Sequence, residues 1–149
     1  MEKDLKDKLL ESFEGKLNKT ITMYLETCAR CGICTDSCHV FKSMPRPEYS
    51  PAARAEVIRK LYKKHFKIQG RLFPSLGEAK AIDDTTLDEV NRAAYSCTGC
   101  RRCMTHCPFG IDTQQIMSIA KLMLVTANAE PEILSMLADV SISKGESID

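Results

Sequence analysis

The 149-residue chain has no run of apolar residues long enough to cross a bilayer. Its longest candidate, Ile116 to Val125, is broken by Ser118 and Lys121 and falls well short of the ~20 residues a spanning helix needs. The opening Met-Glu-Lys-Asp-Leu-Lys-Asp-Lys is charged and has no apolar signal core, so neither a secretory leader nor a direct membrane span is expected. An excess of positive charge is also missing. The formal charge is +1, which argues against a general nucleic-acid binder. There is no Gly-rich phosphate loop to mark a nucleotide or flavin site, and no Ser-His-Asp arrangement. No segment shows the alternating pattern of a convincing strand.

What remains is cysteine. All 8 lie in two runs of identical spacing, C-x2-C-x2-C-x3-C: Cys28, Cys31, Cys34 and Cys38, then Cys97, Cys100, Cys103 and Cys107. This is a ligand spacing for a [4Fe–4S] cubane, where three thiolates on a tight loop cover three irons and the fourth comes from elsewhere. In two-cluster ferredoxins the fourth cysteine of each run crosses to the other cluster. The expected ligand sets are therefore Cys28, Cys31, Cys34 and Cys107 for one cluster, and Cys97, Cys100, Cys103 and Cys38 for the other. Two independent one-cluster halves are the alternative. A disulfide framework fits poorly with a chain lacking secretory marks. Zinc modules use two C-x2-C pairs with a longer spacer rather than four cysteines within eleven residues. Two oxidised clusters would shift the net charge by about −4, making the loaded protein mildly acidic. With every cysteine committed, no thiol is left as a catalytic nucleophile.

Apolar periodicity is helical almost throughout, which gives an all-α fold. Leu5, Leu9, Leu10, Phe13 and Leu17 form one stripe, and Ile21, Tyr24 and Leu25 lead into Cys28. Three prolines make Lys42 to Pro51 irregular. Ser50 reads as an N-cap with Pro51 at the first helical position. The helix that follows is expected to bury Val57, Ile58, Leu61, Tyr62 and Phe66, to present Arg59, Lys60, Lys63 and Lys64 to water, and to stop at Gly70. A loop is expected over residues 70–83, with Pro74 and Gly77 as breakers. Thr86 with Glu89, and Asp112 with Gln115, have capping-box spacing, and Ile111 with Ile116 are placed for a hydrophobic staple. A last helix runs from Pro131 to Val140. Residues 1–23 read as an N-terminal helical extension, 24–128 as the dicluster domain and 129–149 as a C-terminal helix and polar tail, either a natural end or the edge of a longer chain. Between Cys38 and Cys97 lie 58 residues. That is far more than the short connection of a compact bacterial-type ferredoxin, and crossed ligands would couple folding to cluster assembly.

The run Cys97-x2-Cys100-x2-Cys103-x3-Cys107-Pro108, continuing Phe-Gly-Ile-Asp112, resembles the α-helical ferredoxin domains. These occur in the C subunit of heterodisulfide reductase, and in iron–sulfur subunits of succinate dehydrogenase and fumarate reductase, anaerobic glycerol-3-phosphate dehydrogenase and glycolate oxidase. The resemblance covers roughly Tyr24 to Val125. In succinate dehydrogenase-type subunits a changed ligand usually leaves one three-iron cluster. Both runs here keep four cysteines, which implies two [4Fe–4S] clusters and the heterodisulfide reductase side of the family. His39, where proline would follow the fourth cysteine, is a departure. Members of this kind often pair with, or are fused to, a domain bearing Cys-Cys-Gly motifs that carries the substrate chemistry, and this chain has no Cys-Cys pair.

The expected function is a relay of single electrons between a flavoprotein-type donor and a cysteine-rich or membrane-bound catalytic partner of an oxidoreductase complex, with no substrate site of its own. A cytoplasmic location is expected, at the membrane only through a partner. A non-redox structural or sensory cluster module is the alternative. Gly32 and Gly99 would bring backbone N–H groups to sulfur and raise the potential. Ile33 and Met104 would shield the irons. Arg30, Arg101 and Arg102 would offset cluster charge or dock an acidic partner, or else sit as ordinary solvated charges. His39 and His106 are expected as surface side chains rather than ligands, and the methionines as core filler.

Overall fold

The structure, a computed structural model, describes residues 3–73 and 79–145. Among these, ten α-helices and one 3-10 turn account for the regular structure, with no strand. The first is α1 (Lys3–Glu14), whose Leu9 and Phe13 are fully buried at i, i+4 spacing against α9. Phe13 meets Phe66 edge-on with ring centroids 5.3 Å apart. The segment before residue 24 is therefore part of the core. In α2 (Lys19–Thr27), capped by the Asn18 side chain accepting from the Ile21 N–H at 2.9 Å, residues Ile21, Tyr24 and Leu25 face inward as expected. Two single-turn helices follow, α3 (Ile33–Ser37) and α4 (His39–Ser43), then the 3-10 turn Pro47–Tyr49 within the proline-rich stretch.

The central element is α5 (Pro51–Phe66), which touches α2, α3, α6, α7 and α9. Ser50 caps it, its hydroxyl accepting from the Ala53 N–H at 3.2 Å, and Pro51 occupies the first position, where no N–H is needed. Arg59 departs from expectation and is only 3% exposed. Its Nε donates to the Leu25 carbonyl at 2.6 Å and its Nη1 pairs with Glu56. Leu25 lies in the last turn of α2, where carbonyls have no intrahelical partner, so the guanidinium closes that helix end. Close by, Tyr62 donates to Glu26 at 2.7 Å, and Lys67 completes the pair with the same carboxylate.

Gly70 does not end α5. Lys67 takes an extended conformation and stops it three residues earlier, and Gly70 lies inside the short α6 (Ile68–Leu72). A Cβ at Gly70 would stand 2.1 Å from the Lys63 carbonyl oxygen, so the glycine is there because α6 folds back against α5. The expected loop thus begins only after Leu72, and Pro74 and Gly77 lie outside the described residues.

In α7 (Asp84–Tyr95) the capping box forms three residues earlier than expected. Asp83 accepts from the Thr86 N–H at 2.7 Å, and the Thr86 hydroxyl accepts from the Asp83 N–H at 3.3 Å. Glu89 pairs instead with Lys80 at 2.9 Å. After α8 (Arg102–Thr105), the long α9 (Thr113–Thr126) packs on α7, α5 and α1. Asp112 caps it, accepting from Gln114 and Gln115, and Ile111 and Ile116 are both buried. The last helix, α10 (Glu132–Lys144), runs one turn beyond Val140 and buries none of its residues.

Phe13→Ala should lower stability by about 3–5 kcal/mol, the usual cost of emptying a fully buried phenylalanine site, read from the denaturant midpoint of the anaerobic protein. Hydrogen bonds from the Thr86 and Thr85 hydroxyls and the Thr86 amide hold Asp83 down, from 3.8 to about 2. A depressed carboxylate stabilises the fold above its unfolded value and loses that contribution as it protonates. With the intrinsic pH dependence of exchange removed, protection of the Thr86 amide should therefore fall as pH drops from about 4 toward 2, and Asp83→Asn should flatten that dependence.

Candidate metal-cluster site

Each cysteine loop is built by the same two backbone reversals. In the first run Arg30 and Gly32 have positive φ, 55° and 83°; in the second Gly99 and Arg101 have 72° and 58°. The positions correspond. Each lies between successive cysteines of the run, and each run places glycine at one and arginine at the other. A non-glycine residue in the left-handed region costs roughly 1 kcal/mol, and each arginine is held there by a side-chain pair. Arg30 meets Glu56 at 2.7 Å, and Arg101 meets the buried Asp112 at 3.0 Å and Gln114 at 3.0 Å. Both are thus anchored, while Arg102 is exposed.

Helical turns follow both loops. Cys34 sits in α3 and Cys38 is its C-cap, four residues on; Cys103 sits in α8 and Cys107 follows by the same interval. Helices α3 and α8 lie against each other. One cavity is lined by Cys28, Cys31, Cys34 and Cys107, together with Arg30, Ile33, Ala52 and Phe109. A second is lined by Cys97, Cys100, Cys103 and Cys38, with His39, Pro51, Arg54, Arg101 and Arg102. Three cysteines of one run meet the fourth of the other in both places. All eight cysteines are free, and no carboxylate among the described residues lines either cavity. Among the described residues, no three His, Cys, Asp or Glu side chains close on one point as a single ion would need.

Helix α5 joins the two cavities through its first turn. Ala52 lines the first, and its backbone N–H donates to Cys34; Pro51 and Arg54 line the second. Arg54 is 2% exposed, and its Nη1 and Nη2 both donate to Cys38 Sγ at 3.8 Å. Its Nε has no partner among the described residues. A buried guanidinium facing only sulfur calls for a negative group in the cavity, as a thiolate-ligated cluster is, so the residues fit the cofactor their spacing implies. Burial pushes the Cys34 thiol up, with charge on Cys103, Cys28 and Cys107 adding to it; burial also raises Cys103, against a hydrogen bond from Thr113. Ligation must therefore draw protons from these two thiols.

Two of the expected features, at His39 and Met104, read differently here. His39 is exposed but not idle: its Nδ1 lies 3.8 Å from Cys100 Sγ and its Nε2 3.2 Å from the Thr98 hydroxyl, so it links the two runs. His106 contacts only its own turn, through the Arg102 carbonyl and the Thr105 hydroxyl. Ile33 lines the first cavity, whereas Met104 lines neither; Phe109 takes part instead. The exits from the two runs also differ. Cys38 passes directly into α4, while Cys107-Pro108-Phe109-Gly110 forms a turn closed by the Gly110 N–H on the Cys107 carbonyl at 3.0 Å. Arg54 and Ala52 had no local signal, since only the return of α5 brings them to the cysteines.

An all-helical scaffold with two four-thiol cavities defines a two-cluster iron–sulfur protein. A family model described as "4Fe-4S dicluster domain" matches residues 24–111, and the chain belongs to that family, with two [4Fe–4S] clusters as its cofactors and electron transfer as its role. It is 32% identical over 142 residues to the Hdr-like menaquinol oxidoreductase iron-sulfur subunit 2 of Archaeoglobus fulgidus, covering 94% of this chain and 26% of that protein. An iron-sulfur protein of the same kind from Archaeoglobus profundus is also 32% identical over the same shares. One component of the dihydromethanophenazine:CoB–CoM heterodisulfide reductase of Methanosarcina mazei is 29% identical over 110 residues, covering 73% of this chain and 26% of that protein. The chain thus spans about a quarter of the length of these curated relatives. No solved structure matches it.

Gly32→Ala and Gly99→Ala should each cost about 1–2 kcal/mol through left-handed strain alone. A new Cβ meets nothing within 4 Å at Gly32 and only Gln114 Cγ at 3.5 Å at Gly99. Denaturant midpoints check this, with iron content expected to hold in both variants.

Proposed function

We propose that this chain is the electron-relay part of a heterodisulfide reductase-like oxidoreductase complex, passing single electrons between a flavoprotein-type donor and a catalytic partner. Cys28, Cys31, Cys34 and Cys107 hold one cluster, and Cys97, Cys100, Cys103 and Cys38 hold the other. The observation that carries this is the composition of the two cavities, three cysteines of one run with the fourth of the other. Bound there, a [4Fe–4S] cluster supplies one-electron oxidation and reduction. Cys31 and Cys100 are the exposed members of their sets and give each cavity a side open to a partner. Cys34, Cys38, Cys103 and Cys107 lie on the joined α3–α8 side.

The relatives are named as parts of a menaquinol oxidoreductase and of a heterodisulfide reductase, which supports a place in a complex of that type. No helix among the described residues is long and apolar enough to cross a membrane; a membrane contact through a partner protein is part of this proposal. All eight cysteines line the two cavities, and the substrate chemistry belongs to another domain or another chain.

Anaerobically purified protein should hold about eight irons, as two cubanes require, and show two interacting signals in electron paramagnetic resonance after dithionite reduction. Cys38→Ser should alter the signal that Cys100→Ser alters, and Cys107→Ser the one that Cys31→Ser alters. Colourless zinc-loaded protein would overturn the relay; Cys38→Ser acting on the Cys31 signal would overturn the crossed ligand sets.

A further inference from the structure

Arg54 is the charged side chain that the fold buries most completely beside a cysteine cavity. It is 2% exposed, makes no ion pair among the described residues, and places both terminal nitrogens 3.8 Å from Cys38 Sγ. Nε remains without an acceptor there. A guanidinium does not give up its proton inside a protein, so it cannot escape burial by becoming neutral, as a lysine can. Its charge must be answered by something in the cavity, and Cys38 is what it faces.

The surroundings of the two cavities are unequal in the same sense. Arg30, at the first, is paired with Glu56, and Arg101, at the second, with Asp112. With those pairs set aside, the second cavity keeps Arg54 and the exposed Arg102, and also receives the His39 ring at Cys100. The first receives the Ala52 amide on Cys34. Reduction adds negative charge to a cluster, and donors or cations at its sulfurs favour that state; in a water-poor site the effect is enlarged.

We propose that Arg54 is the fixed counter-charge of the cluster held by Cys97, Cys100, Cys103 and Cys38, and that it makes this cluster the higher-potential member of the pair. One electron shared between the two sites then resides at the second, the first being left oxidised. Arg54 is in this sense a positioning and tuning residue, and the inference rests on the ligand sets proposed above.

Redox titration of the anaerobic full chain, followed by electron paramagnetic resonance, tests it with Arg54→Met, Arg54→Gln and Arg54→Lys. At a fixed applied potential, Arg54→Met should lower the reduced-to-oxidised ratio of the cluster that Cys100→Ser marks about tenfold, equivalent to about 59 mV for one electron. The cluster marked by Cys31→Ser should move much less, and Arg54→Lys should recover most of the shift. Loss of one cluster in both neutral variants, with retention in the lysine variant, would also support a counter-charge. Unmoved couples, equal shifts in both, a lysine variant displaced as far as the methionine one, or cluster loss in all three would overturn it. Failure of the ligand sets themselves would show separately, in the serine variants of otherwise unaltered protein.

Discussion

Cys34 and Cys38 are one helical turn apart, about 6 Å of rise, yet they line different cavities, and Cys103 and Cys107 repeat the arrangement. Two short helices that each contribute to both cavities must lie side by side, and that requirement governs the rest of the chain. Four- and five-residue helices cannot hold such a position by themselves, because helix nucleation is unfavourable at that length. The hold comes from outside them. Helix α5 packs on α3, while α7 and α9, joined to each other and to α5, deliver the second run to the first. Even α1 serves this, since its buried Leu9 and Phe13 brace α9 and the end of α5.

Helix α5 links packing to electrostatics. Its middle turns are core, with Ile58, Leu61 and Tyr62 buried and Arg59 closing the end of α2. Its first turn meets both cysteine cavities, through Ala52 at one and Pro51 and Arg54 at the other. The amide end of a 16-residue helix carries partial positive charge, and negative groups are stabilised there. The same helix therefore fixes the distance between the sites and biases both toward negative charge. A shift that loosened its core turns would also move the donors at the sulfurs.

Local features were legible in the sequence, and contacts made across the chain were not. The cysteine spacing, the Ser50, Pro51 and Asp112 caps and the stripe through Leu9 and Phe13 each depend on neighbours within a turn or two, so pattern alone finds them. The capping box forms three residues before the Thr86–Glu89 pair because Asp83 supplies a cap there, which serves as well as that pair. Arg59 reads as a solvated charge on a helix face until α2 brings an unpartnered carbonyl to it. Gly70 reads as a helix stop until the backbone of Lys63 is seen against it. Arg30 and Arg101 carry no trace in their letters of the left-handed conformations they hold, since arginine is an unusual choice there and its ion pair lies elsewhere in the chain.

Exposure completes the case for a relay over a static cluster mount. A purely structural site gains from being closed on all sides, because solvent at a cluster invites its loss. Here each cavity keeps one exposed cysteine, Cys31 or Cys100, while the buried Cys38 and the half-buried Cys34, Cys103 and Cys107 lie toward the contact of α3 with α8. Openness at the outer ends and closure between them is the arrangement that lets a partner approach either site while the step between sites stays inside the protein. The chain also commits every thiol it has to these cavities. Its sequence has therefore been spent on holding, spacing and charging two sites, within a stretch that matches about a quarter of the length of its relatives.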